Sequence, residues 1–296
     1  LYLGKGGRAL LFLLRRGAGP HHNERMKLRI GILGVGNMGE ALARGLQRSK
    51  DRGRYVITGS THSIESARDS QKRLGFACHT DNRRLARESD VIVVCVKPHQ
   101  VQGALKSMGS AGLGPGKLII SIAASVTTDV IARLTGGRAP VVRAMPNTPA
   151  LIGAGVTALC QGAKASPKHM ELADEIFRGV GPTVVIEERL MDAATGLSGC
   201  GPAYAYVIIE ALSEAGVKVG LPRKTATLLA AQTLLGAARM VMERDVHPAA
   251  LKDEVTTPAG CTIDGLMALE EGKLRVTLIK AVLAATKRSK SLAQGK

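Results

Sequence analysis

The chain has no tryptophan, and with four tyrosines and three phenylalanines its aromatic content is only 2% over 296 residues. A core must therefore be packed from Leu, Val, Ile, Ala and Met, and the 45% hydrophobic content is enough for one of ordinary size.

 Two domains are the expectation for this length. The scarcity of rings also removes the aromatic-interleaved basic surface that a nucleic-acid binder would present. Acidic residues are short as well, 24 against 41 basic ones, for a formal net charge of +17. The basic residues are scattered, so the positive field is read as one that draws small anions, and no nucleic-acid partner is expected. The five cysteines, Cys78, Cys95, Cys160, Cys200 and Cys261, show neither C-x-x-C spacing nor histidines at ligand intervals. They are read as reduced thiols of an intracellular protein, and no metal site is expected.

Residues 1 to 25 differ from the rest: Lys5, Arg8, Arg15, Arg16 and Arg25 stand against a single acid, Glu24, around an apolar stretch too short to span a membrane. This segment is read as a disordered basic extension. A cytoplasmic location is expected, or a mitochondrial one if the segment is part of a transit peptide. No later apolar segment is expected to reach membrane-spanning length, and no membrane partner is expected.

From Lys27 the sequence reads KLRIGILGVGNMGEALARGL: a short apolar run, then Gly34, Gly36 and Gly39 as G-x-G-x-x-G, then a helical pattern. In that context the first glycine permits a tight turn, the second lets backbone approach a pyrophosphate, and the third allows close helix-strand packing. The next strand, Tyr55 to Gly59, leads into Ser60, Thr61, His62 and Ser63, with no carboxylate before Glu65. Nothing there repels a 2′-phosphate, so NADPH is the preferred cofactor and NADH the alternative. Two further apolar strands, Val91 to Val96 and Leu118 to Ala124, should bring Lys97 and Ser125 to the same crevice.

Beyond residue 185 the pattern changes to long helices: Pro202 to Ala215, Pro222 to Glu243, Thr262 to Glu271, and Lys273 to about Leu292. The expected organisation is an α/β Rossmann-type nucleotide-binding domain over 26–185 and an all-α domain for dimerisation and substrate over 186–296. Within the second lies LKDEVTTPAGCTIDGLMALEE, where Pro258 and Gly260 stop one helix and Ile263, Leu266, Met267 and Leu269 restart another. Thr262 then falls at the N-cap or first turn, where free N–H groups and the helix dipole favour a carboxylate or phosphate. The alternative is a capped helix connection without a ligand.

Several segments, in order, resemble the pyrroline-5-carboxylate reductases, which reduce a cyclic imine to proline. They include GILGVGNMGEALARGL, VKPHQV, SIAASV, VVRAMPNTPALIGAGVTAL, DAATGLSGCGPAYAYVIIEAL and LKDEVTTPAGCTIDGLMALEEG. The resemblance implies a helical domain that interlocks with a second copy, as a homodimer or higher homo-oligomer, and active sites built across that interface. It implies cofactor contacts at Gly34, Gly36, Asn37 and Met38, at Ser60, and at Asn82 near the adenosine, to which the glycine motif adds Gly39 and the end of the second strand adds Thr61 and His62. Cys95, Val96, Lys97, Ala123 and Ala124 would lie along the ribose and nicotinamide, with Glu254 reaching the nicotinamide side. Thr257, Gly260, Cys261 and Thr262 would hold the cyclic imine carboxylate, with Thr262 as the catalytic residue. Three positions depart from the pattern: Ala259 and Ser125 stand where Gly is more usual, and Cys261 where Ala or Thr is.

Hydride transfer to an iminium carbon needs positioning more than acid-base machinery, which suits a loop poor in ionisable side chains. A 3-hydroxyacid dehydrogenase would be the nearest rival among enzymes. This chain has comparable glycines, Gly196, Gly199 and Gly201, but Ala205 occupies the position of the proton-shuttling lysine and Ile208 that of the following amide. Another imine reductase, or a non-catalytic NADPH-binding protein, is the remaining alternative. The intact Thr257, Gly260 and Thr262 argue against the non-catalytic one.

Overall fold

A computed structural model describes residues 27–109 and 113–293. The expectation of disorder over residues 1 to 25 lies outside them. The first part is an eight-stranded sheet in the order β3-β2-β1-β4-β5-β6-β7-β8. Its strands are β1 Leu28–Leu33, β2 Tyr55–Ser60, β3 Ala77–His79, β4 Val91–Val94, β5 Leu118–Ser121, β6 Val141–Met145, β7 Thr157–Gln161 and β8 Thr183–Val185. All neighbouring pairs are parallel except β6 and β7.

The unbroken apolar runs of the central strands follow from burial on both faces. Along β4, Val91 and Val93 point into one core with Leu118 and Ile120 of β5, while Ile92 and Val94 point into the other with Ile119. Helices α1 Asn37–Arg48 and α6 Pro167–Arg178 close the first core through Leu42, Leu46, Ile176 and Phe177. Helices α2 Ile64–Leu74, α3 Asn82–Glu88, α4 Val101–Met108 and α5 Thr128–Leu134 complete the part, and Leu85, Leu105 and Ile131 fill the second core. Each fully buried Leu or Ile contributes roughly 1.5–3 kcal/mol.

Two strands end earlier than their apolar runs suggest. The runs to Val96 and Ala124 leave the sheet at Val94 and Ser121. The remaining residues turn out of the ladder to line a cleft.

The second part is helical: α7 Met191–Ala194, a π-helical stretch Thr195–Gly199, α8 Gly201–Lys218, α9 Arg223–Arg244, α10 Pro248–Glu254, α11 Cys261–Glu271 and α12 Leu274–Ala293. Asn147, after β6, ties the two parts together: its Oδ1 accepts from Val156 N at 2.9 Å and its Nδ2 donates to Ser198 O at 3.2 Å. Where the sheet gives way to helices, Glu188 accepts from Thr128 N and Oγ1 at 2.7 and 2.5 Å and faces the buried Arg143 guanidinium at 3.5 Å.

The helical part buries little of its own surface. Of α9, Ala226 and Ala230 are buried, whereas Leu228, Leu229, Leu235 and Met242 are exposed. By length and composition alone α9 is apolar enough to cross a membrane, which corrects the expectation that no later segment reaches that length.

Candidate active site

The carboxyl ends of β1, β2, β4 and β5 open onto a cleft of about 780 Å³. After β1, Gly34 adopts φ +94°, which an L side chain rarely allows. Gly39, in the first turn of α1, sits with its Cα hydrogens against the Gly34 carbonyl, and a Cβ there would approach that oxygen to 2.7 Å. A Cβ at Gly36 would meet no protein atom within 4 Å, although Gly36 lines the cleft. The open space above Gly36 and the lack of a side-chain cap on α1 leave backbone N–H groups for a ligand. These features fit a pyrophosphate.

Thirteen of the residues expected at the cofactor share this cleft: Gly34, Gly36, Asn37, Met38, Ser60, Thr61, His62, Asn82, Cys95, Val96, Lys97, Ala123 and Ala124. Gly39 packs behind its wall. Local capping sets two of its corners. Ser63 caps α2 by accepting from Ser66 N at 3.2 Å, and Thr61 Oγ1 donates to the Ser63 carbonyl at 3.0 Å. Asp81 caps α3, accepting from Arg83 N and Arg84 N at 2.9 and 3.0 Å, and those N–H groups hold its carboxyl below the usual range. That cap positions Asn82, whose Nδ2 donates to Ser107 Oγ at 2.8 Å.

Burial pushes the Cys95 thiol up to about 12, so at neutral pH it is a neutral wall residue rather than a nucleophile. No carboxylate lines the cleft among the described residues. Sequence reasoning missed Ser66 and Gln100. Their signals were present: Ser66 lies three residues after the Ser63 cap, and Gln100 Oε1 accepts from Lys97 N at 3.3 Å across the same spacing.

The second group lies elsewhere. Thr257 and Gly260 lie in the connection from α10 to α11, Cys261 and Thr262 open α11, and none of them lines the nucleotide cleft of its own chain. Gly260, not Thr262, is the N-cap of α11, and Thr262 occupies its first turn. The Thr262 hydroxyl is therefore not the cap. Ala259 has φ +56° and Ser125 φ +61°. The left-handed region costs an L residue about 1–2 kcal/mol, so both departures from glycine fall where glycine would relieve strain. Glu254, at the end of α10, pairs with Arg244 at 2.6 and 3.0 Å across the turn between α9 and α10 and, like the loop that follows it, does not line its own chain's cleft.

Comparison with known proteins gives the same division. A family model described as NADP oxidoreductase, coenzyme F420-dependent, matches residues 29–125, and one described as pyrroline-5-carboxylate reductase dimerisation matches residues 188–292. A pyrroline-5-carboxylate reductase of Methanosarcina acetivorans is 42% identical over 266 residues, covering 89% of this chain and 97% of the relative. The structure of a pyrroline-5-carboxylate reductase from Coxiella burnetii superposes with a TM-score of 0.83 at 38% identity, covering 89% of this chain and 97% of that one. The Plasmodium falciparum pyrroline carboxylate reductase with NADP bound gives 0.78 at 34% identity, covering 90% and 99%.

A Rossmann-type sheet with this glycine-lined cleft, followed by a helical dimerisation region, defines a dinucleotide-dependent oxidoreductase. More narrowly, the chain belongs to the pyrroline-5-carboxylate reductase family.

Proposed function

We propose that this chain reduces pyrroline-5-carboxylate to proline with hydride from NADPH. The observation that carries the reading is the carboxylate-free cleft at the ends of β2 and β4, from Ser60 to His62 and from Cys95 to Lys97, in a chain that retains the Thr257–Thr262 loop. Bound in that cleft, a reduced nicotinamide supplies the hydride. The protein's part is to hold and orient. The first-turn N–H groups of α1 receive the pyrophosphate, and Ser60, Thr61 and His62 offer donors to a 2′-phosphate with no acid to oppose it. Ala123 and Ala124 put only methyl side chains on the wall after β5.

The substrate enters with its ring nitrogen protonated, so one hydride added to the C=N carbon gives the secondary amine without a further proton donor. In this reading the Thr262 hydroxyl hydrogen-bonds the ring nitrogen, and N–H groups at the start of α11 take the carboxylate. Because that loop does not line its own chain's cleft, we assign it to the cleft of a second copy. The exposed apolar face of α9, with Leu228, Leu229 and Leu235, supplies the surface that two copies would cover. The same face makes membrane insertion of α9 unnecessary to its composition.

The test is steady-state oxidation of NADPH and of NADH, each with and without pyrroline-5-carboxylate. Imine-dependent turnover, faster with NADPH, is the expected result. Tight NADPH binding with no imine-dependent oxidation would overturn the reading.

A further inference from the structure

The turn after β5 is tied to the helical part by a chain of hydroxyls that the nucleotide site itself does not require. Ile122, Ala123 and Ala124 line the cleft, and Ser125 follows them in the left-handed conformation. Its Oγ donates to the Ser289 carbonyl of α12 at 3.2 Å and lies 3.4 Å from Ser289 Oγ. Ser289 is buried, and its own Oγ donates to Asp192 Oδ1 of α7 at 2.6 Å. Glycine would suit the backbone at 125 better, yet only a hydroxyl-bearing side chain makes this connection. Farther along the same segment, Thr128 is held by Glu188. The cofactor wall is therefore fastened at two points to the region where the helical part begins and ends.

We propose that Ser125 is a positioning residue for hydride transfer, acting through Ser289 and Asp192 to hold the Ile122–Ala124 wall in register with the helical part, whose exposed faces set where a second copy's substrate loop meets this cleft. This rests on the imine-reductase reading above. The phosphate end of the cleft is held by α1 and the β2 turn, remote in sequence from this connection, so its loss affects the alignment of the reacting groups more than the affinity for the dinucleotide. One hydrogen bond of this kind corresponds to about a 2- to 12-fold change in rate.

Ser125→Ala removes the hydroxyl and keeps the strain, whereas Ser125→Gly removes both. Both variants are expected to lose about 2- to 12-fold in kcat, with NADPH Kd by fluorescence titration unchanged within about 2-fold. Ser125→Gly should recover thermal stability but not kcat, and Ser289→Ala should add little to Ser125→Ala, since the two remove one connection. Wild-type kcat in Ser125→Gly would overturn the proposal, as would a loss confined to NADPH affinity. Amide hydrogen exchange over residues 122–128 provides a readout independent of turnover. Faster exchange in both variants supports the connection, and unchanged exchange overturns it. A wild-type protein that fails to turn over the imine would instead overturn the functional reading, with the exchange measurement still deciding the connection.

Discussion

The two parts of this molecule bury their apolar residues in different ways. In the sheet, every residue of β4 and β5 is buried within one chain, between helices that the same chain provides. In the helical part, α11 has no buried residue and α9 has two, while Leu228, Leu229, Leu235, Ile279 and Leu283 stand exposed. The sheet's strands are apolar on both faces because helices cover both. The helices are apolar nearly all round because their cover comes from outside the single chain. A family model for dimerisation over residues 188–292 accords with that difference.

The largest effect is expected from breaking the helical side. Leu228→Asp with Leu235→Asp should dissociate the oligomer in sedimentation velocity and abolish imine reduction, because each carboxylate would have to be buried unpaired. NADPH binding by the sheet should survive. Intact oligomers would show that this face is not the one covered. On the sheet side, Phe177→Ala should cost about 3–5 kcal/mol in denaturant unfolding, since Phe177 is 1% exposed and packed within the first core.

At the loop, Thr262→Ala should lower kcat/KM roughly 10- to 150-fold, the worth of a hydrogen bond to a charged group, and Thr262→Ser should restore most of it. Because Gly260 is the cap, the melting temperature should hardly change; a large drop would return Thr262 to a structural role. Ala259→Gly should stabilise by about 1 kcal/mol in thermal unfolding, by relieving the left-handed strain at φ +56°. A destabilised Ala259→Gly would mean that the unfolded chain gains more freedom than the loop loses strain.

The smallest effect concerns His79, at the end of β3, whose ring nitrogens are both buried without partners. Burial first, and the Arg84 charge second, hold its pKa below the ordinary value. The sign follows from proton uptake. Below about pH 6.5 the unfolded chain takes up a proton that the folded chain resists, so stability falls as the pH drops through that value. His79→Gln should flatten the acid side of a stability profile between about pH 7 and 5. An unchanged slope would place the titration elsewhere.

Much of this was legible in the chain itself. G-x-G-x-x-G between an apolar strand and an amphipathic helix specifies a turn, an approach and a packing contact, all of them local. The lack of an acid from Ser60 to Ser63 is equally local. The four long helices were visible from their periodicity and their Pro and Gly boundaries, to within a few residues. Less was visible where side chains from distant segments meet. Glu254 could not be known to face Arg244, nor Thr128 to face Glu188, because each pairing depends on how separate helices turn back on one another.

The sequence by itself determined the order of the parts, most of the residues that share the nucleotide cleft and the chemistry they offer, because hydrogen-bonding capacity, charge and glycine's freedom belong to residue types at short spacings. Only the tertiary structure decided that Ala259 and Ser125 sit in the left-handed region, that Gly260 rather than Thr262 caps α11, and that Ser125 is joined to Ser289 across 164 positions. Backbone angles at a turn and contacts between remote segments are set by the packing of whole elements, which no local pattern encodes.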